Sequence, residues 1–253
     1  MILWCDGAHD APENMRRDRA LWERAERGGP GEPFEPALRL FTFQPAGITL
    51  GHAQRPEDEL DLERCAADRV AWAVRPTGGR TIFHAEEWTY ALVARLDDPE
   101  WGGSPRTVYE RIGRLLCDSL NVLGIDAALA RGGAAGAPRA PGGAARPCFA
   151  STARLELVRD GRKLAGSAQR RGARALIQQG SVLLSDGHLR LVEYQRLPEA
   201  ARPAARAALA AAAGHAGDVI GPRAPLERWA DAIERVWPRV RRVAARHAGA
   251  LTA

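Results

Sequence analysis

Gly161-Arg162-Lys163-Leu164-Ala165-Gly166-Ser167-Ala168-Gln169 is the stretch on which the fold turns. It holds the one lysine of a 253-residue chain with 36 lysines and arginines in all. Where a positive charge is enough, this chain uses arginine. Guanidinium stays charged at any working pH and is planar, whereas a lysine amine is compact and able to give up its proton. A skewed composition also leaves a lysine on a solvated face by chance, because long charged side chains are mostly exposed. The neighbours decide between the two. Asp160-Gly161 is a hairpin signal, so Arg154 to Val158 reads as one strand and Lys163 to Ala168 as its return. Gly166-Ser167-Ala168 are three small residues in a row, which leave room for a ligand chain or allow close packing.

Upstream of the hairpin, Gly133 to Pro147 is rich in Gly, Ala and Pro and reads as a mobile loop. Cys148-Phe149 follows it directly. A cysteine at the end of such a loop is less often buried core, and a thiol nucleophile needs a depressed pKa, which a nearby ammonium supplies. Downstream, Ala175 to Ile177 and Gly180 to Leu184 read as extended. The last 55 residues read as helical, with Glu199 to Ala213 rich in Ala and Arg, and Leu226, Trp229, Ile233, Val236 and Trp237 on one face of Pro225 to Arg246.

The first half reads as strands with interspersed helices. Asn14 to Glu26 has an amphipathic pattern, Leu38 to Phe43 alternates, Gly47 to Gly51 is a short strand, and Asp61 to Asp68 is a helical turn or two. Ala71 to Arg75 runs into a second glycine turn, Pro76-Thr77-Gly78-Gly79-Arg80, and Thr81 to His84 continues extended. Trp88 to Ala94 is a strong strand. Ser104-Pro105 opens a helix that carries Val108, Ile112, Leu115, Leu116 and Leu120. Paired glycines let a backbone approach a ligand closely, and their N–H groups make an anion-binding concavity. The flanking Arg75 and Arg80 suit a phosphate or carboxylate, though a plain hairpin needs no ligand. His84 is a candidate base or a satisfied structural histidine. His52 reads as a pocket or turn residue.

A hydrophobic share of 45% and a charged share of 26% describe an ordinary globule. Residues 1–253 read as a single catalytic domain of mixed α/β (α+β) class, with 199–253 a helical C-terminal tail. No apolar run approaches the roughly 18 residues that span a bilayer, so no membrane is expected. The N-terminus lacks a secretory signal. The four cysteines (5, 65, 117 and 148) are widely spaced, with no CxxC or CxxH pair, which argues against zinc. Free thiols imply a reducing, cytoplasmic setting. The formal net charge of +5 suits nucleic acid or an acidic protein partner. No nucleic-acid motif accompanies it, so nucleic acid is not expected.

Taken in order, these segments resemble the lipoate–protein ligase, octanoyltransferase and biotin ligase family. The resemblance rests on Ile48-Thr49-Leu50-Gly51-His52-Ala53-Gln54, Arg75-Pro76-Thr77-Gly78-Gly79-Arg80, Thr89-Tyr90, the Gly161 to Gln169 stretch and Gln178-Gln179-Gly180-Ser181-Val182-Leu183-Leu184. It implies a class II synthetase/biotin ligase-like mixed sheet flanked by helices, with Lys163 as the family's catalytic lysine. Cys148, fifteen positions before that lysine, resembles the branch that transfers octanoyl from acyl carrier protein through a loop cysteine. On that reading Cys148 and Lys163 are catalytic. Arg75, Thr77, Gly78, Gly79, Arg80, His84, Gly166, Ser167 and Ala168 bind substrate. The implied donor is acyl carrier protein, and the acceptor is a lipoyl-domain protein such as the glycine cleavage H protein. The protein is expected to be a monomer. Thioester to amide is downhill, so no cofactor is expected. Arg80 stands where ligases of the family carry a third glycine, Ala85 where they carry an acid, and Gln179 where a histidine is usual. Three alternatives stand beside this reading: an ATP-dependent lipoate or octanoate ligase, an octanoyl amidotransferase between lipoyl domains, and a non-catalytic acyl or lipoyl-domain binder.

Overall fold

The structure, a computed structural model, describes residues 1–29, 32–130 and 155–243. Its centre is a mixed sheet of strands β2 (Ala37–Phe43), β6 (Glu87–Arg95), β10 (Ala175–Leu183) and β9 (Arg162–Arg171). Beyond β2 lies β1 (Ile2–His9), and beyond β9 lie β8 (Leu157–Arg159) and β7 (Ala128–Leu129). The mixed α/β class holds.

The neighbours β6 and β10 are buried at every position. Both faces of the sheet are therefore covered, and such strands lose the apolar/polar alternation that marks a half-exposed one. On one face, Trp88, Tyr90, Leu92 and Val182 pack with helices α4 (Pro105–Val122) and α8 (Leu226–Val236). Trp88 and Trp229 stack there, 5.4 Å between ring centroids. Burying one such large apolar side chain contributes on the order of 1.5–3 kcal/mol. The other face receives helix α1 (Ala11–Arg27) and a small sheet of β4 (Ala71–Val74), β3 (Gly47–Leu50) and β5 (Ile82–His84).

The helix starts follow sequence chemistry. Ser104 accepts from Thr107 N ahead of Pro105, as an N-cap should. Asp10 accepts from Glu13 N, so α1 begins at Ala11, three residues before the expected Asn14.

The C-terminal stretch departs from a wholly helical tail. After the short helices α2 (Pro56–Glu59), α3 (Leu62–Ala67) and α5 (Leu191–Tyr194), helix α6 spans Arg202–Ala212, α7 is the single turn Gly217–Ile220, and α8 stops at Val236 instead of running to Arg246. Pro238 lacks the N–H that would continue the helix. Residues Arg241–Val243 form β11, which pairs parallel to β1 with Ile2 opposite Arg241. The tail thus completes one edge of the main sheet.

Candidate active site

The hairpin of the lysine stretch forms as its turn signal predicts. Asp160 and Gly161 have φ of 51° and 72°, the two left-handed residues of a tight hairpin turn. Arg159 then faces Arg162, and Val158 faces Lys163, but Leu157 faces Ala165. Leu164 is the extra residue, a β-bulge. Leu157 and Ala165 belong to the apolar cluster beneath α4 and α8. Val158, the next residue on its strand, points the other way, and Lys163 points with it. The bulge therefore delivers the lysine to the face that carries α1 and the small sheet. Lys163 is 2% exposed, and its Nζ lies 2.7 Å from Glu156 Oε1. Its carbonyl accepts from Gly214 N at 2.9 Å, which ties the end of α6 to the hairpin.

On that same face the second glycine turn lies against β9. A Cβ built on Gly79, whose φ is +91°, meets Ala168 Cβ at 3.7 Å and Arg75 Nη2 at 2.7 Å. A Cβ on Gly51 would sit 2.0 Å from the Gly79 carbonyl oxygen, so β3 and the turn meet through two glycines. Arg75 is buried and braces the turn from within: it donates to the carbonyls of Gly78 (3.1 Å), Arg80 (2.7 Å) and Thr49 (3.2 Å). Thr77 donates through Oγ1 to Gln179 Oε1 at 2.7 Å, and Gln179 Nε2 donates to Asp18 Oδ2 at 2.5 Å. Asp18 is fully buried. Burial pushes its carboxyl up, against the pull of the Arg39 guanidinium at 2.6 Å. Arg39 also pairs with Asp6 at 2.7 Å. The turn is thus anchored to β10, and through β10 to α1. Arg80 is exposed at the outer end of the turn.

His84 is buried between partners. Its Nε2 is 2.7 Å from Thr49 Oγ1, its Nδ1 is 2.5 Å from Glu87 Oε1, and its ring stacks on Phe43 with centroids 3.9 Å apart. Thr89 and Ser181 donate to the same Glu87 oxygen at 2.7 and 2.9 Å. Ser167 turns away from Lys163: its Oγ meets Tyr90 Oη at 2.8 Å on the α4 face, and Gln178 donates to that phenol at 3.1 Å. Burial holds the Tyr90 hydroxyl up at about 12. Along Gly166-Ser167-Ala168, Gly166 and Ala168 face the glycine turn, and Ser167 offers that side its backbone alone.

The structure thus brings Lys163, Gly166, Ala168, Thr77, Gly78 and Gly79 to one face of the sheet. It places His84 in a hydrogen-bonded cluster on that face and Ser167 across the sheet. Cys148 lies outside the described residues. Sequence reasoning missed Glu156 and Asp18. The signal for Glu156 was an acid on the strand that pairs with the lone lysine. Asp18 lies inside the amphipathic stretch Asn14 to Glu26 with no local sign of its role, because its partner Gln179 sits 161 positions away. A carboxylate at Glu156, an amine at Lys163 and the N–H groups of the glycine turn suit chemistry at an acyl carbonyl, where charge develops on oxygen.

The sequence model of the lipoyl protein ligase A/B catalytic domain matches residues 10–206. The chain is similar to a protein named octanoyltransferase LipM from Symbiobacterium thermophilum, 38% identical over 193 residues, which cover 76% of this chain and 68% of that one. It is 36% identical to the protein of that name from Kyrpidia tusciae over 70% of this chain, and this match spans 64% of the relative's length. Among solved structures it is similar in fold to lipoate-protein ligase A bound with ATP (TM-score 0.71, 17% identity, 99% of this chain and 92% of that one). A bipartite lipoate protein ligase from Thermoplasma acidophilum gives the same TM-score of 0.71 at 17% identity, over 99% of this chain and 89% of that one.

Proposed function

This chain belongs to the lipoyl protein ligase A/B catalytic-domain family, and on that premise we propose that it is an acyltransferase moving octanoyl from acyl carrier protein to a lysine of a lipoyl-domain protein. The observation that carries the reading is Lys163, the chain's one amine side chain, buried on the face of the glycine turn fifteen residues after Cys148. The relatives named octanoyltransferase support the same chemistry.

Cys148 is the nucleophile. Its thiolate forms a C–S bond to the octanoyl carbonyl carbon. The carrier's thiolate leaves and takes up the proton that Cys148 gave. The Lys163 ammonium stabilises the attacking thiolate and assists that proton transfer. N–H groups of the Gly78-Gly79 turn and of Gly166 to Ala168 hold the oxyanion; one such donor is typically worth about 3 kcal/mol. The neutral amine of the acceptor lysine then attacks the thioester. The C–N bond forms, the C–S bond breaks, and the amine's proton returns to Cys148. ATP has no step to drive. The net charge of +5 suits an acidic carrier. The acceptor is a lipoyl domain such as that of the glycine cleavage H protein. Residues 1–253 act as one catalytic domain, as a monomer and in the cytoplasm.

Incubation with octanoyl carrier protein and apo lipoyl domain, with and without ATP, tests this. Transfer without ATP is expected, together with an acyl-enzyme heavier by about 126 Da that Cys148→Ala abolishes. Full transfer by Cys148→Ala would overturn the mechanism. Lipoate-dependent ATP–pyrophosphate exchange would favour the ligase, and transfer from an octanoylated lipoyl domain in preference to the carrier would favour the amidotransferase. Binding of acyl chain or lipoyl domain without any acyl-enzyme would favour a binder.

A further inference from the structure

We infer that Glu156 is a positioning residue, which holds the Lys163 ammonium in the orientation its reaction requires. The inference rests on Lys163 having the catalytic role proposed above.

The pair differs in kind from the buried ion pairs around α1. Around α1 the chain joins Arg39 to Asp6 and Asp18, with all three side chains 0–1% exposed. There a planar fork with fixed geometry suits a permanent brace. At the hairpin the carboxylate meets instead a compact amine on a rotatable four-carbon stem, the one place where the chain uses such a group. A buried salt bridge is weak support for stability in itself, because matched apolar side chains serve as well. A flexible amine, however, needs something to fix its direction. The fold supplies that through two constraints. The bulge at Leu164 aims Lys163 to the face of the glycine turn. Glu156 lies two residues before Val158, the residue opposite Lys163, so its carboxylate reaches the amine diagonally at 2.7 Å. Glu156 is itself 6% exposed, so solvent screens the contact little. The α6 end clamps the Lys163 carbonyl from the far side. Backbone and amine are held separately, and Glu156 holds the amine.

The lone lysine makes the test direct. Protein labelled with 15N at lysine carries one side-chain amine signal, and a buried, hydrogen-bonded ammonium exchanges slowly enough to be seen. Glu156→Gln keeps an oxygen acceptor and the side-chain shape and removes the charge. It is expected to fold, to lose or displace the lysine signal, and to lower kcat for octanoyl transfer by about 100-fold, the scale of a misplaced reacting group. KM for the octanoyl carrier should change little. Glu156→Asp, with the charge on a shorter arm, should restore part of kcat and part of the signal. Should Glu156→Gln fail to fold, Glu156→Asp alone decides, and it must then show a displaced signal with reduced kcat. Wild-type kcat and an unchanged lysine signal in the folded variant overturn the inference while leaving the transferase reading intact. A wild type that transfers no octanoyl, with its lysine signal present, overturns the transferase reading instead.

Discussion

Thr77 and Gln179, 102 positions apart, share a 2.7 Å hydrogen bond, and the same glutamine reaches on to Asp18. The glycine turn, a central strand and the first helix are thereby joined by one chain of hydrogen bonds. Gln179→Leu removes both bonds and leaves the Thr77 hydroxyl and the buried Asp18 carboxylate each without this partner. A loss of about 1–3 kcal/mol is expected in denaturant unfolding. Thr77→Val removes one end only. The double variant should lose less than the sum of the two, because both act on one chain of contacts. Strict additivity would show that the turn and the helix are uncoupled.

Gly51 has no room for a side chain: a Cβ there would lie 2.0 Å from the Gly79 carbonyl oxygen. Gly51→Ala must push the turn off β3 or off β9. Octanoyl transfer should fall by about 100-fold, since the N–H groups of the turn move with it. Gly161→Ala is the control. Its φ of +72° also strains an alanine, but no atom crowds it within 4 Å. Gly161→Ala should lower stability with a smaller effect on transfer, and equal activity losses in the two would count against a role for the turn.

Lys163→Arg keeps the charge and changes its shape. A guanidinium is larger than the ammonium it replaces and cannot give up its proton. In a site where Lys163 is 2% exposed, the planar group has to displace its neighbours. Transfer should fall by at least about 100-fold in steady-state assays, the scale set by positioning and proton transfer together. Activity near the wild-type level would reduce Lys163 to a structural cation.

His188, 2% exposed in the helical turn Asp186–Arg190, gives the fold an acid-sensitive point. Burial holds its imidazole below the ordinary 6.5, against the opposing pull of Asp186 and Glu87. Below pH 6.5 the unfolded chain takes up a proton that the folded chain refuses. Stability from this group is therefore full above that pH and falls as pH drops toward the depressed value. Melting temperatures measured from neutral to mildly acidic pH should decline, and His188→Gln should flatten the decline. An unchanged slope in the variant assigns the effect to another group.

The lysine hairpin, the glycine turn, α4 and the strand at Trp88 were legible because each carries a local signal: Asp160-Gly161, Thr77-Gly78-Gly79, Ser104-Pro105, and a run of aromatic and β-branched residues. What was not legible depends on partners distant in sequence. Gln178-Gln179 reads as a break between two short strands, yet β10 runs through it because each polar group has a distant partner: Tyr90, Asp18 and Thr77 for the glutamines. Gly180 lets the Tyr90 ring and the Gly166 carbonyl close in on it, at 2.6 and 2.7 Å from where a Cβ would stand. Ile2-Leu3-Trp4 gave no alternation because all three are buried within β1. Arg241–Val243 looks like a surface stretch of a charged tail until β1 is there to pair with it.

The side of the sheet on which the amine emerges is a matter of counting. One supernumerary residue, Leu164, separates the parity of the hairpin tip from that of the rest of β9. Deleting Leu164 alters no charged group and leaves Cys148, Lys163 and Glu156 in the chain. It would restore even alternation and leave the ammonium on its side, because Lys163 would then stand next to Ala165 and still face Val158. Drawing β9 straight with Leu164 retained does the reverse: Lys163 would then share the side of Ala165, beneath α4 and α8, in a chain whose every residue is unchanged.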